Sequence, residues 1–289
     1  MTPRIGRRSG GQSGSGGSPK SKARARWPMW FAALSAIWGS SFLFVKVADE
    51  VLAPVQVALG RLVFGVCAVG VMLLARRERL PPDVRTWGHL AVAAVLLNAA
   101  PFSLFADGET HVSSVLAGIF NAATPLFVVP VAALMVRDER LTRVRTIGIG
   151  VGFAGVLTVL GVWRKTGNAG LEGDLLCLSG AASYGVGFPY ARRFLSGRAD
   201  PLPLAAGQLL CGTIELAIVA PLISGVPSTL PFSVVGAVAA LGVFSTGIAY
   251  VLNFSLIRAA GATVASTVTY VMPVVSTLVA VVVLGEART

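Results

Sequence analysis

Residues 54–79 read PVQVALGRLVFGVCAVGVMLLARRER, an apolar run with one charge, Arg61, that ends in Arg76, Arg77 and Arg79. A helix rises about 1.5 Å per residue, so a run of this length crosses a hydrocarbon layer of about 30 Å. The arginines then fall where such a helix leaves the bilayer. Working outward, about 28–48, 87–106, 113–136, 145–163, 174–191, 202–223, 232–257 and 263–284 read the same way, which makes nine apolar stretches. None shows the strict alternation of barrel strands, and only helices or closed barrels satisfy their backbone in lipid. The chain is 54% hydrophobic and 13% charged, about half the charge of a soluble domain. The fold class is therefore an all-α polytopic membrane protein, with short links that make neighbouring helices antiparallel.

Lys and Arg number 24 against 13 Asp and Glu. In a soluble chain this excess would suggest nucleic acid, but here the basic residues stand between apolar runs, where they set topology. No nucleic-acid partner is expected. If the N-terminal tail lies in the cytoplasm, 19 Lys and Arg fall on its side and four on the other: Lys46, Arg164, Lys165 and Arg288. That split predicts a multi-pass protein of the cell (inner or plasma) membrane with a cytoplasmic N-terminus. Residues 1–27 form a basic Gly/Ser-rich tail with too little apolar surface to fold, and the run after it is too long for a cleaved signal. Cys67, Cys177 and Cys211 lie inside apolar runs and His89 and His111 stand apart, so neither a disulfide framework nor a metal site is expected, and no cofactor is implied.

The two halves echo each other. Trp38, Gly39 and Phe42 match Tyr184, Gly185 and Phe188 at an offset of 146. Pro54, Ala58, Gly60, Leu62 and Gly65 match Pro201, Ala205, Gly207, Leu209 and Gly212 at 147; Glu139 matches Glu286, and Pro125 matches Pro273. The unit has five spans, and an odd number inverts the second copy in the membrane, an arrangement that suits alternating access around a central site. The expected organisation is a first five-helix repeat over 28–163 and a second, of four helices, over 174–289. On this alignment Thr142 corresponds to Thr289, and the run 145–163, with its packing face of Gly148, Gly150, Gly152 and Gly155, has no counterpart. The expectation is nine spans of ten, with the last helix lost by truncation or a frame error, or else a native nine-span variant.

With the repeat in hand, the sequence resembles the EamA-type permeases of the drug/metabolite transporter superfamily. The resemblance is carried by AIWGSSFLFVK (36–46), PVQVALGRLVFG (54–65), SVLAGIFNAATPLFVVPVAALMVRDERLT (114–142) and its echo ASTVTYVMPVVSTLVAVVVLGEART (265–289). It implies two inverted five-helix repeats, a central cavity, and movement of small metabolites or drugs, often outward. The family often has an arginine where Arg61 stands, which implies a role in holding helices or binding an anion.

Several residues are candidates for function, each with a structural alternative. Arg61 must face the bundle or reach outward, because a charge facing lipid at mid-depth costs about 2.5–3.5 kcal/mol. Glu215 is the acidic residue near the middle of a span. A carboxyl that gains and loses a proton there can couple transport to a proton gradient; alternatively it bonds a neighbouring helix. Trp38, Asn98, Asn121, Tyr184, Tyr250, Asn253 and Tyr270 are candidate cavity-lining, substrate-binding residues, or interhelical hydrogen-bonding ones. Pro125 and Pro273, together with Pro101 and Pro189, interrupt spans and are candidate hinges, although proline is also simply tolerated in membrane helices.

Three functions compete. A secondary transporter fits best, since no GxxxxGK[ST] stretch is present to couple ATP. A membrane enzyme would need HExxH, a nucleophile with its base, or paired acids at depth, and none occurs, so no enzymatic activity is expected. A non-transporting scaffold or inactive remnant is the alternative. The expected partners are a small-molecule substrate, the lipid bilayer and, if Glu215 titrates, protons.

Overall fold

A computed structural model describes residues 19–112, 114–139, 142–159, 171–227 and 229–284. Helices follow from the apolar runs. They are α1 (Pro19–Asp49), α2 (Pro54–Arg76), α3 (Val84–Ala94) and α4 (Ala100–His111), the last two joined by a π-helical segment, π1 (Val95–Ala99). Next come α5 (Ser114–Ala122), α6 (Thr124–Met135) and α7 (Arg143–Val159). The remainder comprises α8 (Leu171–Phe194), α9 (Pro201–Ser224), α10 (Phe232–Ala240), π2 (Leu241–Ile248), α11 (Ala249–Ala260), α12 (Ala262–Ser266) and α13 (Val268–Leu284). Among the described residues, five helical runs, 54–76, 84–111, 116–135, 201–224 and 232–260, are long and apolar enough to cross a membrane. Phe232, Leu134 and Leu222 are 92%, 86% and 81% exposed on the outer surface, which suits a lipid solvent and not water.

Local chemistry explains where these helices start and stop. Pro54 and Pro201 open α2 and α9 at positions where a missing N–H costs nothing. Asp83 caps α3 by accepting from the Thr86 amide at 2.8 Å. That bond holds the Asp83 carboxyl below its ordinary range. The core runs along the bundle through Leu34, Leu62, Leu97, Leu209 and Leu256. Where α2 meets π2 the backbones nearly touch: a Cβ on Gly242 would lie 2.8 Å from the Arg61 carbonyl oxygen, so glycine is required there.

Several boundaries differ from the sequence reading. Helix α1 begins at Pro19, so it takes in residues 19–27 of the expected unstructured tail. Lys, Arg and Ala are strong helix formers and extend the first span backward. The run 113–136 is two helices with a turn at Ala123, and Pro125 opens α6 instead of interrupting a helix. The run 263–284 breaks at Thr267, before Pro273, which sits inside α13. Tail residues 1–18, the end of the fifth apolar run, Arg164, Lys165, Glu286, Arg288 and Thr289 lie outside the described residues.

Candidate functional site

A cavity of about 90 Å³ lies between the middle of the bundle and the end formed by Asp49, Pro54 and His111. Trp38 and Ser41 of α1, Arg61 of α2, Phe102 and Glu109 of α4, Asn121 of α5, Tyr184 of α8 and Thr269 of α13 are on its wall. Asn121 and Thr269 each stand four residues before a proline, Pro125 and Pro273. Proline has no N–H to give the carbonyl four residues back, so both cavity residues lose that helical bond.

The wall is held by bonds that cross between the halves of the chain, and many start from the two π segments. A π turn shifts the hydrogen-bond register and releases carbonyls. The Leu96 carbonyl accepts from Ser183 Oγ at 2.9 Å, and the Leu97 carbonyl accepts from the Tyr250 hydroxyl. In the other direction, Trp38 Nε1 donates to the Ser245 carbonyl at 3.0 Å. Arg61 Nε donates to Thr246 Oγ1 at 3.1 Å, and its guanidinium carbon sits 3.9 Å from the centre of the Phe102 ring. Arg61 is therefore pinned from two sides while standing on the cavity wall.

Of the seven residues expected to bind substrate, Trp38, Asn121 and Tyr184 line this cavity. Asn98, Tyr250, Asn253 and Tyr270 do not. Asn98 Oδ1 accepts from Gln208 Nε2 at 2.6 Å, with both side chains fully buried. Tyr250 packs its ring edge-on against Trp38 and Phe102 from behind the wall. Asn253 is buried in α11, and the Tyr270 hydroxyl ties α13 to the Ile149 carbonyl of α7 at 2.9 Å. Asn98 Oδ1 and the hydroxyls of Tyr250 and Tyr270 thus serve helix contacts, while Asn253 Oδ1 is buried with no hydrogen-bond partner among the described residues.

Glu215 lies elsewhere, in a separate apolar groove of about 650 Å³ between α9, α4 and the start of α2 that also holds Asp107 and Ser103. Its Oε2 is buried with no hydrogen-bond partner among the described residues.

At the other end of the bundle, which carries Arg76, Arg137, Arg192, Arg193 and Arg258, hydrogen bonds tie helix ends together. Glu139, 5% exposed, lies in the link between α6 and α7 and reaches the start of α12. Its Oε1 accepts from the Ala262 amide at 2.6 Å, and its Oε2 accepts from the Thr263 amide at 2.8 Å and from Thr263 Oγ1 at 2.5 Å. Arg192 stands 4.0 Å away and donates to the Ile257 and Arg258 carbonyls, while Arg193 donates to the Met135 carbonyl at 2.6 Å. Gly261, with φ of +95°, brings the chain so close that a Cβ would lie 2.7 Å from Glu139 Oε1. Sequence reasoning met Glu139 only as a match to Glu286. Its recurrence after a helix in both halves was the available signal.

Comparison with known proteins gives a consistent result. The pattern of the EamA-like transporter family matches residues 25–161 and 171–289. The uncharacterized inner membrane transporter YedA of Escherichia coli K12 is 30% identical over 255 residues, covering 85% of this chain and 79% of its own. The uncharacterized transporter YcxC of Bacillus subtilis is 31% identical over 80% of this chain and 77% of its own. An uncharacterized transporter of Archaeoglobus fulgidus is 24% identical over 87% and 88%. A solved crystal structure at 22% identity superposes with a TM-score of 0.74 over 93% of this chain and 90% of its own, a likeness of fold alone.

Proposed function

Because this chain belongs to the EamA-like transporter family and is a multi-pass membrane protein, we propose that it exports a small molecule by exposing its central cavity to the two sides of the membrane in turn. The observation that carries this reading is the inequality of the two ends. The cavity lies toward the Pro54 end, while the Glu139 stitch closes the basic end. A carrier caught in one of two access states has this form.

The inverted repeat supplies the means. Val95 and Leu241 open π segments 146 residues apart, close to the offset of the sequence echo, and each segment gives carbonyls to side chains of the other half. Residues 28–163 and 174–289 act as the two repeats, and the distribution of Lys and Arg supports a cytoplasmic basic end. The closed end then faces the cell interior. Trp38, Asn121, Tyr184 and Arg61 meet the substrate, and Pro125 and Pro273 act where helices bend.

The test is side-specific labelling. Ser41→Cys, in a background without Cys67, Cys177 and Cys211, should react with an impermeant maleimide only from the outer side of cells. Adding Glu139→Ala should admit the reagent from the cytoplasmic side of inverted vesicles. Equal labelling from both sides in the parent protein rules out a closed basic end. Proton coupling, where transport shows it, is assigned to Glu215. Glu215→Gln should then abolish stimulation by a pH gradient while ligand binding in the cavity stays within about twofold, since the carboxyl lies in the other groove. Unchanged stimulation removes Glu215 from that role.

A further inference from the structure

We propose that the central cavity takes an organic anion, a carboxylate on a flat apolar ring, with Arg61 as its counter-charge. The inference rests on the transport reading and names the class of molecule moved.

Arg61 carries a fixed positive charge into the membrane, and charge there is stable only when paired or solvated. Among the described residues the ion pairs are made by Arg192, Arg198 and Arg258, and none by Arg61. Its partners are instead neutral: the Thr246 hydroxyl on Nε and the face of Phe102. A guanidinium has five N–H donors, and Nε supplies only one of them. The two terminal nitrogens form the paired edge that fits a carboxylate with two parallel hydrogen bonds. Pinning by Thr246 and Phe102 removes much of the rotational freedom that binding would otherwise have to quench.

The rest of the wall selects the body of the ligand. Trp38, Phe102, Phe105 and Tyr184 present ring surfaces around Arg61. Trp38 has already committed its N–H to the Ser245 carbonyl, so it offers a face and no donor. Flat faces suit a flat ring, through offset or edge contacts. Glu109, seven residues past Phe102 and so roughly 10 Å along α4, is on the same wall and has a contact of its own.

The test uses one ring with three charges: benzoate, benzamide and benzylammonium, bound to the full-length protein in nanodiscs and followed by tryptophan quenching and thermal shift. Benzoate should bind at least about tenfold more tightly than benzamide, and benzylammonium should bind no better than benzamide. Arg61→Gln should bring benzoate down to the benzamide level, and Arg61→Lys should restore part of the difference. Thr246→Val, which keeps the charge but releases its anchor, should weaken benzoate a few-fold, and it covers the case in which changes at Arg61 impair folding. Equal binding of benzamide or benzylammonium, no binding of any of the three, or benzoate affinity unchanged in Arg61→Gln overturns the proposal. Counterflow in liposomes separates this result from the transport reading. Benzoate bound but never carried leaves the site standing and defeats transport, whereas benzylammonium carried in preference to benzoate keeps transport and defeats the anion site.

Discussion

At the basic end a buried carboxylate, Glu139, accepts three hydrogen bonds from the start of α12 and lies beside Arg192. At the Pro54 end the comparable tie is an amide: Gln56 Nε2 donates to the Ser224 and Gly225 carbonyls at 3.3 and 3.1 Å, and Gln56 Oε1 accepts from the Ala53 amide. Both ties join a helix end to the other half of the chain, Glu139 with three hydrogen bonds and Gln56 with two, the third bond of Gln56 staying local to Ala53. They differ in charge and in burial. Hydrogen bonds to an ionised group are roughly twice as strong as neutral ones, and burial lets them keep that strength. One end is therefore locked and the other merely fastened, which is the asymmetry a carrier needs if it is to rest facing one way.

The largest change should come from Glu139→Ala. It strands two amides and one hydroxyl and removes the carboxylate beside Arg192, and should lower stability by about 3 kcal/mol or more, read as a fall in unfolding temperature in detergent. An unfolding temperature within a degree of the parent would break the comparison. Next, Gly261→Ala should cost about 2 kcal/mol, because a Cβ at φ of +95° strains the backbone and meets Glu139 Oε1. The same assay should show Glu139→Ala and Gly261→Ala to be less than additive, since both act on one carboxylate. Gln56→Ala at the fastened end should cost about 1 kcal/mol or less. A loss as large as that from Glu139→Ala would make the ends equivalent.

The smallest effect sharpens the same contrast with a carboxylate in water. Asp83 is held below its ordinary range by the Thr86 hydrogen bond. Its cap is therefore complete above that range and is lost only as pH falls through the lowered folded value. Hydrogen exchange at the Thr86 amide should stay slow from pH 7 down to the ordinary carboxylate range and quicken below it. Early quickening, near neutral pH, would remove Asp83 as the cap.

The helical runs were legible because a bilayer demands about 20 apolar residues at a time, and the family was legible in the echoing motifs. The cavity was only partly so. In a membrane helix the lipid face and the core face are both apolar, so periodicity does not tell which way Asn98 or Tyr270 turns. Trp38, Asn121 and Tyr184 line the cavity, but Asn98, Tyr250 and Tyr270 bond neighbouring helices and Asn253 is buried away from the cavity. The π segments carry no residue signature of their own, and they decide which carbonyls meet Ser183, Tyr250 and Trp38. Glu139 was hidden for a different reason. It sits in a short basic link that reads as solvated, and its burial comes from α12, more than 120 residues later.

The crossed bonds of the π segments also bear on how the protein is made. Synthesis delivers Leu96 and Leu97 long before Ser183 and Tyr250. A nascent first half in lipid therefore has no second-half donors for those carbonyls, and an unsatisfied carbonyl in hydrocarbon is costly. Until the later helices arrive, 95–99 should run as ordinary α-helix, and the register slip should be the last local step of assembly. Each half is a mould that the other finishes.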